Sequence, residues 1–246
     1  MGNIHETAIV SVLSKIHPSV KIGAYSIINE YVEIGENSVI GNFCEIGVNN
    51  KLNKCDQLVI GPGSMIRSHS VIYSGSVYGS SLETGHHVTL RENIQTGLNF
   101  RVGSYSDLQG DLIIGNYTRL HSNVFISKHT NIGDFVFIFP FCVVTNDPIP
   151  PSELIMGCTI NNYAVIASSV TLLPGVVIGE HALVGAKSTV INDVESYSLV
   201  IGTPAVKLKD VRDLMIPGED TAPAYPWKLR FQKGFPEAAN KILLKE

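Results

Sequence analysis

An aliphatic residue returns at every sixth position through most of the chain, beginning Ile4, Val10, Ile16, Ile22, Ile28, Ile34, Ile40, Ile46, Leu52. The series resumes at Ile60, Ile66 and Ile72. It runs again from Val102 through Leu108, Ile114, Leu120, Ile126, Ile132 and Ile138 to Val144, and returns from Ile160 to Val190. A helix repeats at 3.6 residues and an open strand at 2, so neither holds a six-residue beat over such a length. The pattern predicts an all-β solenoid of hexapeptide units. Two residues before each anchor lies a second inward position, read in succession as Ala8, Ser14, Val20, Ser26, Val32, Ser38 and Cys44. One aliphatic and one small residue per hexad suit a narrow, closely packed interior. Gly follows many anchors (Gly23, Gly35, Gly41, Gly47, Gly115, Gly133, Gly179, Gly185), with Asn42 and Asn116 one place later. Both residue types tolerate the positive φ that a sharp corner would demand. Three hexads per coil would make a triangular prism with coils about 4.8 Å apart. The period itself is silent on handedness and on the number of sides.

Breaks in the register predict loops. Ile46 to Ile60 is two residues longer than two hexads, while Ile72 to Val88 and Val144 to Ile160 are each four longer. Surplus residues at a corner must bulge outward, and loops on a rigid scaffold commonly carry binding groups. Corner loops are expected at about 75–100, where Thr84 to Glu92 is dense in polar groups, and at 145–157, which Pro148, Pro150 and Pro151 stiffen. The solenoid is expected over 1–206 and a C-terminal tail over 207–246. Lys207 to Met215 reads as mildly helical, and the segment from Pro217, with Trp227, as packing on the outside. A cap of this kind would cover the apolar cross-section and unpaired edges of the last coil.

Composition narrows the function classes. The 246 residues are 44% hydrophobic and 16% charged, which indicates a filled interior rather than disorder. A net charge of −4 without a basic, aromatic-interleaved stripe argues against nucleic acid. Cys44, Cys55, Cys142 and Cys158 show no metal-ligand spacing, and Cys44 and Cys142 fall in the small inward slot, so reduced packing residues are expected. No apolar run could span a bilayer and no signal peptide opens the chain, which points to the cytoplasm.

Several segments resemble a known family. The repeat over roughly the first two hundred residues is similar to that of the left-handed parallel β-helix acyltransferases. The run Val177-Ile178-Gly179, Val184-Gly185-Ala186-Lys187-Ser188 and Ile201-Gly202-Thr203-Pro204-Ala205-Val206-Lys207 looks like their C-terminal coenzyme A-binding coils. In that family the pantetheine arm lies between coils of neighbouring subunits of a homotrimer. A narrower match comes from Thr84 to Glu92, Ser106 to Gly110, Leu120 to Val124, Phe139-Pro140-Phe141 and Thr145 to Pro148. Together these resemble N-acetyltransferases of nucleotide-linked amino sugars, nearest to those acting on a dTDP-linked 3-amino-3,6-dideoxyhexose. The resemblance implies acetyl-CoA as co-substrate, no metal, and a place in surface-polysaccharide (lipopolysaccharide) or glycan biosynthesis.

The candidate chemistry follows. Amide formation needs a neutral amine, a thioester, a sink for a proton and a donor to the oxyanion. His121 follows anchor Leu120, so it sits at a corner pointing outward, either to orient or deprotonate the amine or as a surface histidine. Asn146 and Asp147 lie in the proline-stiffened loop, as further catalytic candidates or as turn formers before Pro148. Asp107 faces outward beside anchor Leu108 and could hold the amine or a sugar hydroxyl, or only solvate the face. His86 and Glu92 could contact sugar or diphosphate, and Arg91 a phosphate, with an ion pair as the competing reading of Arg91. By hexad alignment Lys128 stands where some related enzymes place a histidine, with His129 beside it. Lysine is a poor base unless strongly desolvated, so the departing thiolate is an alternative proton sink. Ala167, Ser168, Ala186 and Gly202 would admit pantetheine to the backbone, and Lys187 and Lys207 could meet its phosphates, although small residues also serve coil packing. Phe135, Phe137 and Phe139 alternate with inward Val136 and Ile138 and so point out, which predicts a subunit contact or a ring for the nucleotide base.

Other functions remain open on the same scaffold. Acyl transfer to the oxygen or nitrogen of another small acceptor is one. A zinc carbonic anhydrase would need three converging imidazoles, and the close histidine pair is missing, since His121 and His129 are further apart. A purely structural solenoid would present flat repeated ladders, which the varied outward positions and loops do not.

Overall fold

The computed structural model describes residues 4–49, 56–232 and 234–243, and in it the hexads wind into a parallel β-solenoid of about ten turns. Its three walls are sheets of ten, nine and eleven strands, most of them two or three residues long. Register pairs Ile9 with Ile27, Ile16 with Ile34 and Ile22 with Ile40, so one coil takes eighteen residues, or three hexads. The aliphatic anchors from Ile22 to Val190 are almost wholly buried and form one continuous core. Ile4, Val10 and Ile16, in the first coil of the described residues, are exposed or half-buried. Leu52 and Cys55 fall outside the described residues. Cys44, Cys142 and Cys158 are buried free thiols, pushed above their ordinary pKa by burial. No helix among the described residues is long and apolar enough to cross a membrane.

The corners work differently from the sequence expectation. Of the eight glycines that follow anchors, only Gly47 has positive φ. The left-handed residue is instead the third after the anchor, as at Tyr25, Phe43, His69, His87 and Tyr105. The glycine is needed for close approach. A Cβ on Gly35 would lie 2.6 Å from the Pro62 nitrogen in the next coil, too near for any real contact. Asn42 and Asn116 are not left-handed either. Their Oδ1 atoms accept the amides of Ala24 and Leu98 in the preceding coil, both at 2.9 Å. Ser26, buried in the small slot, is likewise satisfied: its Oγ donates to the Gly41 carbonyl at 2.7 Å and accepts from the Cys44 amide at 3.1 Å.

Residues 75–100 are not a corner loop. Ile72, Tyr78, Thr84, Leu90, Thr96 and Val102 keep the hexad without a slip, and all lie on ladder strands. Val88 is the inward slot two places before Leu90. The beat was hidden because threonine replaces the aliphatic anchor at 84 and 96, while the paired slot is enlarged to buried Leu82 and Ile94. Total inward volume is preserved although its distribution is inverted. The surplus of residues between walls is larger than the spacing alone suggested. Ile46 and Ile60 occupy consecutive walls, as do Val144 and Ile160, so spans of fourteen and sixteen residues replace a single hexad of six.

The end of the solenoid also differs. Lys207 to Asp210 belong to a strand, Ala205–Asp210, that folds back antiparallel on Ser198–Gly202; only Val211–Asp213 forms a 3-10 turn. This hairpin closes the edge of the eleven-stranded sheet. The later tail does not cap the end but runs along one side. Trp227, Phe235, Ala239 and Leu243 bury themselves against Tyr117, Phe135, Phe137, Tyr163 and Val165. Phe135 and Phe137, expected to face a second subunit, are therefore covered by their own chain. The short C-terminal helix is Glu237–Leu243.

Candidate functional site

His121 sits immediately after the strand Arg119–Leu120, on the corner that follows the eleven-stranded sheet. Its backbone is fixed from both neighbouring coils. The His121 amide donates to the Ile138 carbonyl at 2.8 Å, and its carbonyl accepts from Ser106 Oγ at 3.1 Å. The ring stacks on Phe139, one coil along, with centroids 4.6 Å apart and planes 14° from parallel. Burial, followed by the positive charge of Arg119, pushes the imidazole below the ordinary histidine pKa. A neutral, oriented imidazole is what a proton acceptor requires.

Reading this corner along the column gives Arg67, Gly85, Gly103, His121, Phe139, Ala167 and Gly185. The glycines leave a groove of about 290 Å³ on the N-terminal side of His121, lined among others by Arg67, Glu83, Arg101, Ser104 and Arg119. Glu83 accepts from Arg67 at 2.8 Å and lies 3.5 Å from Arg101. Arg119 donates to the Gly234 carbonyl at 2.7 Å and spreads over the Phe235 ring at 3.9 Å, so the tail holds it. Burial, reinforced by Arg101 and opposed by Glu83, lowers Arg119 to about 10. These arginines were missed in the six-residue reading. Their signal lies in the eighteen-residue column, where Glu83, Arg101 and Arg119 stack in register. His86 lies on the same corner, its Nδ1 2.8 Å from Ser68 Oγ and its amide on Ser104 Oγ at 2.9 Å. A ladder of stacked rings, Tyr25, Phe43, His69, His87 and Tyr105, runs up this corner too.

On the C-terminal side of His121 the same corner carries Ala167, Ser168, Ala186 and Lys187, followed by Gly202 in the closing hairpin. The absence of bulky side chains at 167, 168, 185 and 186 leaves this backbone approachable, which fits a pantetheine arm. Lys207 departs from the group. On the hairpin it pairs with Glu195 at 2.7 Å, both side chains being well exposed. Phe139 also borders an apolar hollow of about 170 Å³ with Val165, Tyr225 and Trp227.

Of the remaining candidates Asp107 lies on a strand of the ten-stranded sheet and the others follow that wall, so within one chain they do not meet His121. Asp147 forms the loop turn: it accepts from the Ser152 hydroxyl at 2.6 Å, the Ser152 amide at 2.8 Å and the Ile149 amide at 3.0 Å. These bonds, the hydroxyl's first, hold its carboxyl below the usual range. Asn146 donates to the Lys128 carbonyl at 3.4 Å. Glu92 is almost wholly buried and takes Arg91 at 2.9 Å and Lys128 at 3.2 Å, while Lys128 reaches Asp111 at 3.0 Å. Burial opposes the charge on Lys128, but Asp111 and Glu92 outweigh it and raise its pKa, which favours the protonated form and argues against Lys128 as the base. Burial pushes Asp107 up, against Gln109 and Arg91, and its Oδ1 is buried without a hydrogen-bond partner.

A test of the corner follows from Gly103. A Cβ there would lie 2.5 Å from the His121 carbonyl carbon and from the Ser122 nitrogen. Gly103→Ala should therefore cost about 1–3 kcal/mol of stability by overpacking and displace His121. An unchanged thermal midpoint would refute this close approach.

Comparisons with known proteins bear on this geometry. Residues 14–47 match the family model described as bacterial transferase hexapeptide (six repeats). A chloramphenicol acetyltransferase of Klebsiella aerogenes is 37% identical over 76 residues, 29% of this chain and 36% of that protein. A probable macrolide acetyltransferase of Lysinibacillus sphaericus is 46% identical over 50 residues, 20% of this chain and 28% of that protein. The chain thus spans about a third of the length of the curated relatives it matches. The Arabidopsis UDP-N-acetylglucosamine acyltransferase superposes with a TM-score of 0.71 at 17% identity, covering 84% of this chain and 74% of that one, a likeness of fold. The hexapeptide-transferase match is thus confined to residues 14–47, with acetyltransferases among the partial sequence relatives and an acyltransferase among the fold neighbours.

Proposed function

We propose that the protein is an acetyl-CoA-dependent N-acetyltransferase acting on the amino group of a nucleotide-linked amino-deoxy sugar, with dTDP as the favoured nucleotide. One observation carries the reading: His121 stands on a single corner between an arginine-lined groove and a column of small residues. The column suits pantetheine, with Ala167, Ser168, Ala186, Lys187 and Gly202 as its contacts. The groove suits an anionic acceptor. When bound, acetyl-CoA supplies the activated acyl group, while His121 orients the amine and accepts its proton at the unprotonated ring nitrogen. The acetyltransferase relatives support the reaction class. A homotrimer would bring the Asn146, Asp147 and Asp107 corner of one protomer toward the His121 corner of its partner. The product would enter surface-polysaccharide or glycan biosynthesis.

A second reading is acetyl transfer to a hydroxyl of an antibiotic, after the names of the sequence relatives. Three arginines facing one carboxylate favour a phosphorylated acceptor over a neutral or cationic one. Release of free thiol from acetyl-CoA is the measurement, with a panel of dTDP- and UDP-amino sugars set beside chloramphenicol and a macrolide. Saturable release with an amino-sugar nucleotide is expected. Release with an antibiotic alone would transfer the assignment to the second reading, and no release with any acceptor would remove both.

A further inference from the structure

We propose that the arginine groove holds the diphosphate of the acceptor, so that acceptor and coenzyme A reach His121 from opposite ends of one corner. The inference rests on the reading above, in which the acceptor is nucleotide-linked, and it fixes which residues recognise that nucleotide. Charge is the first argument. Among the lining residues Arg67, Arg101 and Arg119 face Glu83 as the single carboxylate, which leaves an excess of two positive charges before His121 is counted. Glu83 divides itself between Arg67 and Arg101. The Nε of Arg119 is buried with no hydrogen-bond partner and the Nε of Arg101 meets Glu83 only at 3.5 Å, so the chain's own acceptors leave guanidinium capacity unused. Such a deficit is costly in a folded chain unless a ligand offsets it.

Shape is the second argument. The stretch of the corner beside His121 is Gly85 and Gly103, where side chains are absent and a bulky anion can lie against the backbone. Planar guanidinium groups on adjacent coils, Arg101 and Arg119 in direct register, match the spread oxygens of a diphosphate. Exclusion is the third. Arg91, the other phosphate candidate, spends its Nε and one terminal nitrogen on Glu92, at 2.9 and 3.2 Å, and rests on Tyr73 at another corner.

Coenzyme A also carries a diphosphate, and the two sources separate by position. The groove belongs to coils between Arg67 and Ser122, whereas the column of small residues begins at Ala167. Binding of dTDP, UDP, inorganic pyrophosphate and coenzyme A to the wild type, Arg101→Gln and Arg67→Gln is the experiment, followed by calorimetry and paired with thiol-release kinetics. Arg67 is 41% exposed, so its variant keeps the test alive should Arg101→Gln fail to fold. Affinity for dTDP or UDP and for pyrophosphate should fall about tenfold in each variant, as loss of one charged hydrogen bond predicts. Coenzyme A affinity should hold, and KM for the acceptor should rise with little change in kcat. Equal nucleotide binding by wild type and variants would overturn the groove, even with the transferase reaction intact. A fall in coenzyme A affinity alone would overturn it by assigning the arginines to the other diphosphate. If pyrophosphate binding depends on the arginines but no amino-sugar nucleotide is acetylated, the groove stands as a diphosphate site and the proposed acceptor falls.

Discussion

Trp227→Ala should release the C-terminal tail while leaving the solenoid folded. Trp227 is 7% exposed, donates its indole N–H to the Tyr163 carbonyl at 2.9 Å, and meets Phe137 edge-on at 4.9 Å. Truncating a buried tryptophan costs about 3–5 kcal/mol. In a compact domain that loss would fall on global stability. Here it falls on one local contact, because each coil depends only on its neighbours and the tail docks laterally on the Tyr117–Phe135–Tyr163 ladder. Limited proteolysis should cut near residues 217–230 in the variant under conditions where the wild type resists, with the main denaturation transition unmoved. Arg119 would then lose the Gly234 carbonyl and the Phe235 ring that hold it at the groove. Acceptor KM should rise more than coenzyme A KM. A tail as resistant as before would show that Phe235, Ala239 and Leu243 suffice to dock it.

The contrast between what could and could not be read in the sequence has a physical basis. An interior three strands wide admits one large and one small side chain per hexad, so Ile, Val and Leu must recur at six wherever the division of volume is uniform. At Leu82–Thr84 and Ile94–Thr96 the large and small partners trade places, and a reading based on the anchor alone breaks down there although the wall does not. Corner residues are harder to read, because their neighbours lie eighteen residues away. Ala167, Ser168, Ala186 and His121 were legible as corner residues from their place beside anchors. Arg101 and Arg119 were not, since an arginine on an outward strand position reads as solvation until its neighbour in the next coil is known. Nor does a period of six show that His121 follows an anchor of one wall and Asn146 and Asp147 an anchor of another, so that within one chain they stand apart. Phe135 and Phe137 do point outward, as their alternation with Val136 and Ile138 predicts, but the expected subunit contact is not what covers them. Nothing in a period of six could say that the partner was the chain's own Trp227 and Phe235.

His121→Ala should lower kcat about 10²–10⁴-fold if the imidazole takes the amine proton, the span typical of a positioned general base. Its environment sets the direction of the pH dependence. Burial and Arg119 hold the folded-state pKa below the ordinary value, so the neutral base persists on acidification past about 6.5. The acid limb of kcat/KM should therefore lie lower than an exposed histidine would give. Stability moves the same way. The imidazole is harder to protonate in the folded chain than in the unfolded one, so its contribution is full above the unfolded pKa and declines as pH falls through it. His121→Asn separates the two roles, since it can donate a hydrogen bond to orient the acceptor but cannot accept a full proton. If the asparagine variant stays as slow as the alanine one, proton transfer is the function of this ring. If it recovers most of the rate and the acid limb persists, His121 only positions the amine. Asp111 and Glu92 favour the protonated form of Lys128, so the departing thiolate would then be the sink for the proton.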